Sequence, residues 1–287
     1  MHDTHRDTQS PKTCGMGQQA EELYRLKEQI ELQETLFNIK HKIVVLSGKG
    51  GVGKSSVAAN LAVALSLRGM KTGLLDVDLH GPSIPTLLGI ENRFPTLLGN
   101  RLVPVDYSEN LKVMSIGLML NEQDEAVIWR GPAKHGVIKQ FLANVVWDDL
   151  DYLIVDCPPG TGDEPLSVIQ FLDGAEGAII VTTPQDVALV DVRRSVTFCR
   201  QLKLPVIGVV ENMSGFVCPH CGETVDIFKS GGGEHMAEEM KVPFLGRIPL
   251  DPAMVSSGDA GKPVVEHLAD SPTGKAFSVI IANITAG

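Results

Sequence analysis

The sequence lacks an apolar run near the roughly 18 residues that a membrane-spanning helix needs, and its first residues contain no hydrophobic signal-peptide core. Basic residues are also few: 25 Lys and Arg stand against 35 Asp and Glu, for a formal net charge of −10. This acidic balance disfavours a general surface for nucleic acid or anionic membranes, because both partners are negatively charged. These absences predict a cytoplasmic protein with no nucleic-acid partner and no membrane partner.

Cysteine is scarce too, with five residues in 287. An odd number of thiols in a reducing compartment argues against a disulfide framework and leaves metal ligation, redox chemistry or simple burial. The chain has one Cys-x-x-Cys, Cys218 to Cys221, and no second pair to complete the four ligands of a structural zinc site.

What the sequence does contain is an alternation of strand and helix patterns. With 43% hydrophobic residues and 29 glycines, the chain can bury a sizeable core, and we favour one main domain. The alternation predicts an α/β fold with a doubly wound, mainly parallel sheet. The predicted strands are Ile43–Leu46, Thr72–Asp76, Asp151–Asp156, Gly177–Thr182, Val206–Val210 and Phe244–Ile248, with a possible inserted hairpin in Arg101–Ser115. The predicted helices are Ser56–Arg68, Ala133–Val146, Glu164–Leu172, Val187–Leu202, Glu234–Met240 and Thr273–Ile284.

The N-terminal segment differs in character from the rest. Residues 1–15 are polar and aperiodic, which predicts disorder. From Gln18 to about Lys40, apolar residues recur with helical spacing, which predicts an amphipathic helix laid against the main domain or a partner. The apolar positions are Leu23, Leu26, Ile30, Leu36 and Phe37. We therefore divide the chain into a tail and helix over 1–40 and a main domain over 41–287.

A glycine-rich phosphate loop lies between the first predicted strand and its helix. Residues Gly48 to Ser55 fit G-x-x-x-x-G-K-S, in which backbone N–H groups surround phosphate oxygens. Lys54 is predicted to reach the β- and γ-phosphates of ATP, and the Ser55 hydroxyl to ligate Mg²⁺. The predicted nucleotide-binding set here is Gly48, Lys49, Gly50, Gly51, Val52, Gly53, Lys54, Ser55 and Ser56.

Lys49 narrows the class of phosphate loop. A lysine directly after the first glycine resembles the deviant Walker A loop of the MinD, ParA, ArsA and nitrogenase iron-protein group, a SIMIBI-type P-loop fold. That resemblance implies a lysine that crosses a dimer interface to the partner's nucleotide and takes part in catalysis. A solvated loop lysine is the alternative.

Further nucleotide-site residues follow the other strands. Asp156 ends an apolar strand as a Walker B carboxylate for hydrated Mg²⁺, and the loop after it carries Gly160, whose N–H we expect to sense the γ-phosphate. Asp78 is our candidate for orienting the attacking water. The alternative is that Asp76 and Asp78 only cap the following turn. Asn212 can hydrogen-bond a purine edge, with the Pro249–Pro252 loop beside the base.

The cysteine pair offers two thiolates on one loop. Two copies of the chain related by a two-fold axis would bring Cys218 and Cys221 together as four thiolates, which suit a 4Fe-4S cluster or Zn²⁺. Three alternatives remain open: a thioredoxin-like redox pair, a monomeric zinc knuckle that borrows His220 or His235, and inert thiols. Cys157 and Cys199 are expected to be small buried hydrophobes.

Taken in order, GKGGVGKS, DVDLHGPS, WRGP, VDCPPGTGD, ENMSGF and CPHC resemble the Mrp/ApbC family of iron-sulfur carrier ATPases over about Ile39 to Leu268. The resemblance implies a homodimer that binds ATP, holds a labile 4Fe-4S cluster between two Cys-x-x-Cys pairs and delivers it to apo-proteins. Eukaryotic members carry a four-cysteine N-terminal motif, whereas this chain has only Cys14 there, so we expect no second stable cluster.

A spatial-organising ATPase of the MinD or ParA kind, with a structural zinc knuckle, is the alternative function. Such a protein would share the nucleotide apparatus but carry a membrane or DNA anchor. The segment Ala276–Gly287 has no basic residue, which makes it a poor membrane-surface helix.

Overall fold

The computed structural model describes residues 14–119, 131–218, 220–221 and 223–285. The predicted disorder of residues 1–15 falls almost wholly outside these ranges. The strands are β1 Ile39–Ser47, β2 Thr72–Asp76, β3 Thr96–Leu98, β4 Arg101–Val103, β5 Val105–Ser108, β6 Leu111–Ser115, β7 Leu150–Asp156, β8 Gly177–Thr182, β9 Val206–Glu211, β10 Phe216–Val217, β11 Thr224–Val225 and β12 Phe244–Arg247. The helices are α1 Cys14–Phe37, α2 Lys54–Leu67, α3 Ile84–Leu88, α4 Gly131–Ala143, α5 Asp163–Phe171, α6 Asp186–Gln201, α7 Gly232–Glu239, α8 Pro252–Asp259, α9 Val264–His267 and α10 Pro272–Thr285.

An eight-stranded sheet forms the centre, in the order β12-β9-β8-β1-β7-β2-β6-β5. Its neighbouring strands are parallel except for β5, which runs antiparallel to β6 at one edge. The central strands β7 and β8 are apolar runs buried on both faces, as parallel strands covered by helices must be. The predicted α/β doubly wound, mainly parallel fold is confirmed.

Two apolar cores lie on the two faces of this sheet. One contains buried side chains of α1, α4, α5, α6 and α7, among them Phe141 and Val196, together with Trp147 from the segment between α4 and β7. The other contains those of α2, α3, α9 and α10, among them Leu61 and Phe277. The sheet is therefore packed between two layers of helices. Because its strands are mainly parallel, the loops that follow their carboxyl ends lie along the same edge of the sheet.

The segment Arg101–Ser115 corrects the expectation of an inserted hairpin. β5 and β6 do form an antiparallel hairpin, but β6 pairs in parallel with β2 and so extends the main sheet. Its residues Leu111, Val113 and Met114 are fully buried, which explains why their alternation was weak: both faces of the strand are covered.

The N-terminal helix also differs from its prediction. α1 ends at Phe37, and β1 begins at Ile39, so the chain around Lys40 is strand rather than helix. The C-terminal part of α1 packs on the domain through Leu32 and Leu36. The predicted apolar positions Leu23, Leu26, Ile30 and Phe37 are exposed.

A buried lysine fixes the end of α1 to the sheet. The Lys42 ammonium donates to the carbonyl oxygens of Leu36 at 3.2 Å and Ile39 at 3.1 Å. The Leu36 carbonyl is one that the end of α1 leaves without an intrahelical partner, and the Ile39 carbonyl belongs to the first residue of β1. Burial lowers the pKa of Lys42, so the cation is held there against its desolvation cost.

Candidate functional site

The phosphate loop joins β1 to α2, as the motif predicted. α2 begins at Lys54 after Gly53, whose φ of 80° is left-handed, and no side chain caps the helix. Its first backbone N–H groups are therefore free to bind an anion. Glycine is required at Gly53 because a Cβ there would overlap the Asn212 amide, and at Gly48 because a Cβ would lie 2.5 Å from Asp191 Cβ.

A buried ion pair lies beneath this loop. Lys54 Nζ is 2.5 Å from Asp156 Oδ1, with the two side chains 6% and 0% exposed. Burial opposes the Lys54 charge, but the attraction of Asp156 prevails and raises the pKa of the ammonium. The other Asp156 oxygen, Oδ2, is buried without a hydrogen-bond partner. An orphaned carboxylate oxygen beside an uncapped helix start fits the hydrated Mg²⁺ of a bound nucleotide.

The two aspartates after β2 have different surroundings. Asp76 is fully buried and is paired in register with Asp156; it accepts hydrogen bonds from Ser115 Oγ at 2.9 Å and the Asp78 N–H at 3.0 Å. Burial, with repulsion from Asp156, raises the pKa of Asp76 to about 7. Asp78 is only half-buried. Asp78 is therefore the more accessible carboxylate, and Asp76 holds its backbone.

The loop after β7 departs from one expectation. The Gly160 N–H, predicted to sense a γ-phosphate, donates instead to the Ser47 carbonyl at 2.8 Å, and Gly160 has a φ of 92°. In this arrangement the N–H is already paired, because the Pro-Pro segment folds the loop back onto the end of β1.

Asn212 lies where a base would bind, but its amide is largely engaged. Its Nδ2 donates to the Val52 carbonyl at 2.9 Å, and its Oδ1 accepts from the Met213 N–H at 2.9 Å. One N–H and one Oδ1 lone pair of the amide remain available, so the contact to a purine edge stays a prediction. The side chain borders a cavity of about 220 Å³, which is also lined by Gly53, Met213, Pro249, Leu250 and Met254. The predicted flanking loop, Pro249–Pro252, is thus beside the cleft.

Lys49 lies at the outer side of the loop. It is half-buried, its carbonyl accepts from Ser47 Oγ at 3.0 Å, and within the described ranges its ammonium forms no ion pair. The described part of the chain therefore places Lys49 on the phosphate loop without giving its ammonium an ion-pair partner.

The cysteine pair occupies the tip of a two-stranded hairpin. β10 and β11 pair antiparallel, and the Cys218 N–H donates to the Glu223 carbonyl at 2.9 Å to close the turn. Backbone N–H groups of Cys221 and His220 donate to the Cys218 sulfur and lower its pKa. Cys221 is exposed. Among the described residues, no group of three or more His, Cys, Asp or Glu side chains comes together as a metal site.

The other cysteines are placed as expected where they are described. Cys157 and Cys199 are fully buried in one apolar core, and burial raises the pKa of both thiols, that of Cys199 to about 11. His235, considered as a borrowed ligand, instead faces Glu239 at 3.3 Å. Cys14 is the first residue of α1.

Two features of the site were missed from the sequence. Glu211, at the end of β9, is fully buried and accepts from the N–H of Gly231 at 2.9 Å and from Ser214 Oγ at 2.5 Å. A charged residue directly after a buried strand was the available signal. The second is a polar cluster beside the Asp78 loop, in which Lys134 Nζ is 2.5 Å from Glu164 Oε1 and 2.6 Å from His80 Nε2. Of the WRGP motif, Trp129 and Arg130 lie outside the described residues.

A family model described as ParA: NUBPL iron-transfer P-loop NTPase matches residues 38–285. The chain belongs to this family. The predicted resemblance is thereby confirmed, and the protein is a P-loop NTPase. Among the described residues, no helix is both long and apolar enough to cross a membrane.

Individual relatives agree with the family. An iron-sulfur cluster carrier protein of Methanocaldococcus jannaschii is 50% identical over 258 residues, which is 90% of this chain and 88% of the relative. A cytosolic Fe-S cluster assembly factor NUBP2 homolog of Nematostella vectensis is 50% identical over 260 residues, 89% and 96% of the two chains. A solved nucleotide-binding protein of Archaeoglobus fulgidus, in complex with ADP and containing cobalt, is 40% identical with a TM-score of 0.75, covering 87% of this chain and 96% of that one.

Proposed function

We propose that this protein is an ATP-dependent carrier that binds a labile 4Fe-4S cluster between two copies of the chain and transfers it to apo iron-sulfur proteins. The observation that carries the proposal is the hairpin tip, where Cys218 and Cys221 lie at the surface as a pair. Relatives of half-identical sequence are named iron-sulfur cluster carrier and Fe-S assembly factor, which supports the same cargo.

The number of ligands supports a homodimer. A 4Fe-4S cluster takes four thiolates, and the described part of one chain brings only two together. Cys157 and Cys199 are enclosed in the core, so they do not supply the missing pair. A two-fold axis through the hairpin tips would bring four thiolates to one exposed position, where ligand exchange with a recipient is easiest.

The nucleotide site supports ATP and Mg²⁺ as cofactors. The uncapped start of α2 would hold the phosphates with the loop from Gly48 to Ser56, and Ser55 with Asp156 would hold hydrated Mg²⁺. Bound Mg²⁺ supplies neutralisation of charge on the transferring phosphoryl group. We assign Asp78 to positioning the attacking water and Lys49 to the partner's nucleotide. The division into a segment over 1–40 and an ATPase domain over 41–287 belongs to the same proposal.

Anaerobic reconstitution with ferrous iron and sulfide tests the proposal. We expect about four irons and four sulfides per dimer, with dimer formation by light scattering. Cys218→Ser and Cys221→Ser should each eliminate the cluster and weaken the dimer, because metal binding and assembly share free energy. Cys157→Ala and Cys199→Ala serve as matched controls, since both thiols are enclosed.

Two results would contradict the proposal. One is a full cluster on a monomer, and the other is iron retained by the double Cys218→Ser, Cys221→Ser variant. Tight zinc binding without iron uptake would instead favour a spatial-organising ATPase with a structural zinc site.

A further inference from the structure

Two adjacent residues at the end of β9, Glu211 and Asn212, contact different sites: Asn212 contacts the phosphate loop, and Glu211 contacts the ends of the cysteine hairpin. Asn212 donates to the Val52 carbonyl of the phosphate loop at 2.9 Å, and its amide occupies the space that a Gly53 side chain would need. Asn212 is 3% exposed, and its own N–H donates to Thr182 at 2.7 Å. The carboxyl end of β9 is therefore in direct contact with the nucleotide loop.

Glu211 faces the other way, as neighbouring residues of an extended chain do. Its carboxylate accepts from Ser214 Oγ, which precedes the cysteine hairpin, and from the N–H groups of Gly231 and Gly233, which follow it. Arg247 Nε is 3.6 Å away. One buried carboxylate thus joins both ends of the hairpin and the start of α7.

The link between the two contacts is short and well fixed. Met213 has a φ of 57°, an unusual value for a residue with a side chain, and Gly215 has a φ of 72°. Ser214 N–H donates to the Ile248 carbonyl at 2.9 Å, and Leu250 N–H donates to Gly215 at 2.8 Å. The sparsely populated conformation of Met213, together with backbone hydrogen bonds on both sides of it, leaves this segment little freedom to absorb movement.

We propose that Glu211 is a positioning residue that couples the nucleotide site to the cysteine hairpin, so that nucleotide and cluster change each other's affinity. This inference rests on the proposed function, because the cluster is its second ligand. Movement of the phosphate loop is passed to β9 through Asn212 and to the base of the hairpin through Glu211. Linkage requires the effect to be reciprocal: cluster loading must change the dissociation constant of ADP by the same factor as ADP changes that of the cluster.

Glu211→Gln tests the role of the carboxylate in the full-length protein. An amide keeps the shape but presents its NH₂ group either to the Gly233 N–H or to both Ser214 Oγ and the Gly231 N–H, so at least one backbone N–H beside the hairpin loses its acceptor. Ser214→Ala is a second variant, which removes the bond to Glu211 and the 3.2 Å contact with Ser230 Oγ and leaves the charge in place. The matched control is Glu234→Gln. Glu234 follows Gly233 in α7, the helix whose start donates to Glu211, but its half-exposed carboxylate pairs with Arg247 rather than with the hairpin ends.

The first measurement is the Kd of ADP for cluster-free and cluster-loaded protein, with Mg²⁺ present. In the unaltered protein we expect loading to change this Kd by about fivefold or more, the lower end of typical coupling. Glu211→Gln and Ser214→Ala should bring the change to about twofold or less while each site still binds its own ligand. Glu234→Gln should keep the full change.

The second measurement needs no cluster. Amide hydrogen exchange of residues 216–225 should change on addition of Mg-ADP in the unaltered protein and in Glu234→Gln, but not in Glu211→Gln. Two results would overturn the inference. One is coupling that persists in Glu211→Gln; the other is an unaltered protein in which Mg-ADP does not change the hydrogen exchange of the hairpin and cluster loading does not change the Kd of ADP. Failure of the proposed function is recognised separately, as iron that binds equally well without Cys218 and Cys221.

Discussion

The carboxyl group of Asp76 allows a quantitative prediction, because its contribution to the free energy of unfolding changes with pH in a direction that its pKa determines. Burial and the neighbouring Asp156 raise its pKa to about 7, against 3.8 for an ordinary aspartate. Between these values the folded protein holds a proton that the unfolded chain has released. The free energy of unfolding of the nucleotide-free protein therefore falls as pH rises from about 4 to about 7.

The size of the effect follows from the shift. About three pKa units correspond to about 4 kcal/mol, and because Asp156 takes up part of the charge we expect about 2 to 4 kcal/mol in experiment. Asp76→Asn should remove this loss. An asparagine Oδ1 can still accept from the Asp78 N–H, and its NH₂ can donate to Ser115 Oγ once the hydroxyl has turned.

Urea unfolding without nucleotide or Mg²⁺ provides the assay, at about pH 5 and about pH 8. Asp76→Asn should be stabilising by about 1 kcal/mol at the lower pH, where roughly a third of the loss is already present, and by about 2 to 4 kcal/mol at the higher one. Asp270→Asn, an exposed carboxylate on the same chain, is the control for loss of one negative charge and should change little at either pH. Equal destabilisation of Asp76→Asn at both pH values would refute the reasoning, since it would mean that the buried charge carries no cost.

Three further predictions concern lysines. Lys54→Ala should weaken Mg-ATP binding by about tenfold or more in calorimetry, since it removes the phosphate-facing cation; unchanged affinity would contradict the P-loop assignment. Lys49→Ala should bind nucleotide but lose turnover, and mixed dimers with Asp78→Asn should regain one working site; if no activity returns, action across the dimer is wrong. Lys42→Met should lower the free energy of unfolding, measured in urea, by about 1 to 3 kcal/mol, because two buried carbonyls lose their donor. Lys40→Met is the control, since the Lys40 side chain is 71% exposed. Equal stability of the two variants would exclude Lys42 as the anchor of α1.

Local patterns were enough to predict most of the sheet and the phosphate loop. Thr72–Asp76 and Gly177–Thr182 were predicted with the bounds they have, because each has a short apolar centre, Leu74-Leu75 and Ala178–Val181, that is buried on both faces. The P-loop was equally readable, since its glycines, lysine and serine act through backbone geometry within one strand-loop-helix unit. The same holds for the cysteine pair, whose two thiols lie on one short hairpin.

Contacts between distant segments were decided only by the tertiary structure. Asn212 and Val52 are 160 residues apart, so nothing local indicated that the amide would donate to the phosphate loop. The apolar spacing of α1 correctly predicted a helix. Which of its apolar residues are buried depended on where β1 and α4 pack against it: Leu32 and Leu36 enter the core, whereas Leu23 and Ile30 are exposed. The sequence by itself determined which chemical groups are present and how each local unit folds. Which polar group meets which partner, as with Glu211 and the two ends of the cysteine hairpin, depended on long-range packing, because hydrogen bonds form between whatever groups the folded chain brings within about 3 Å.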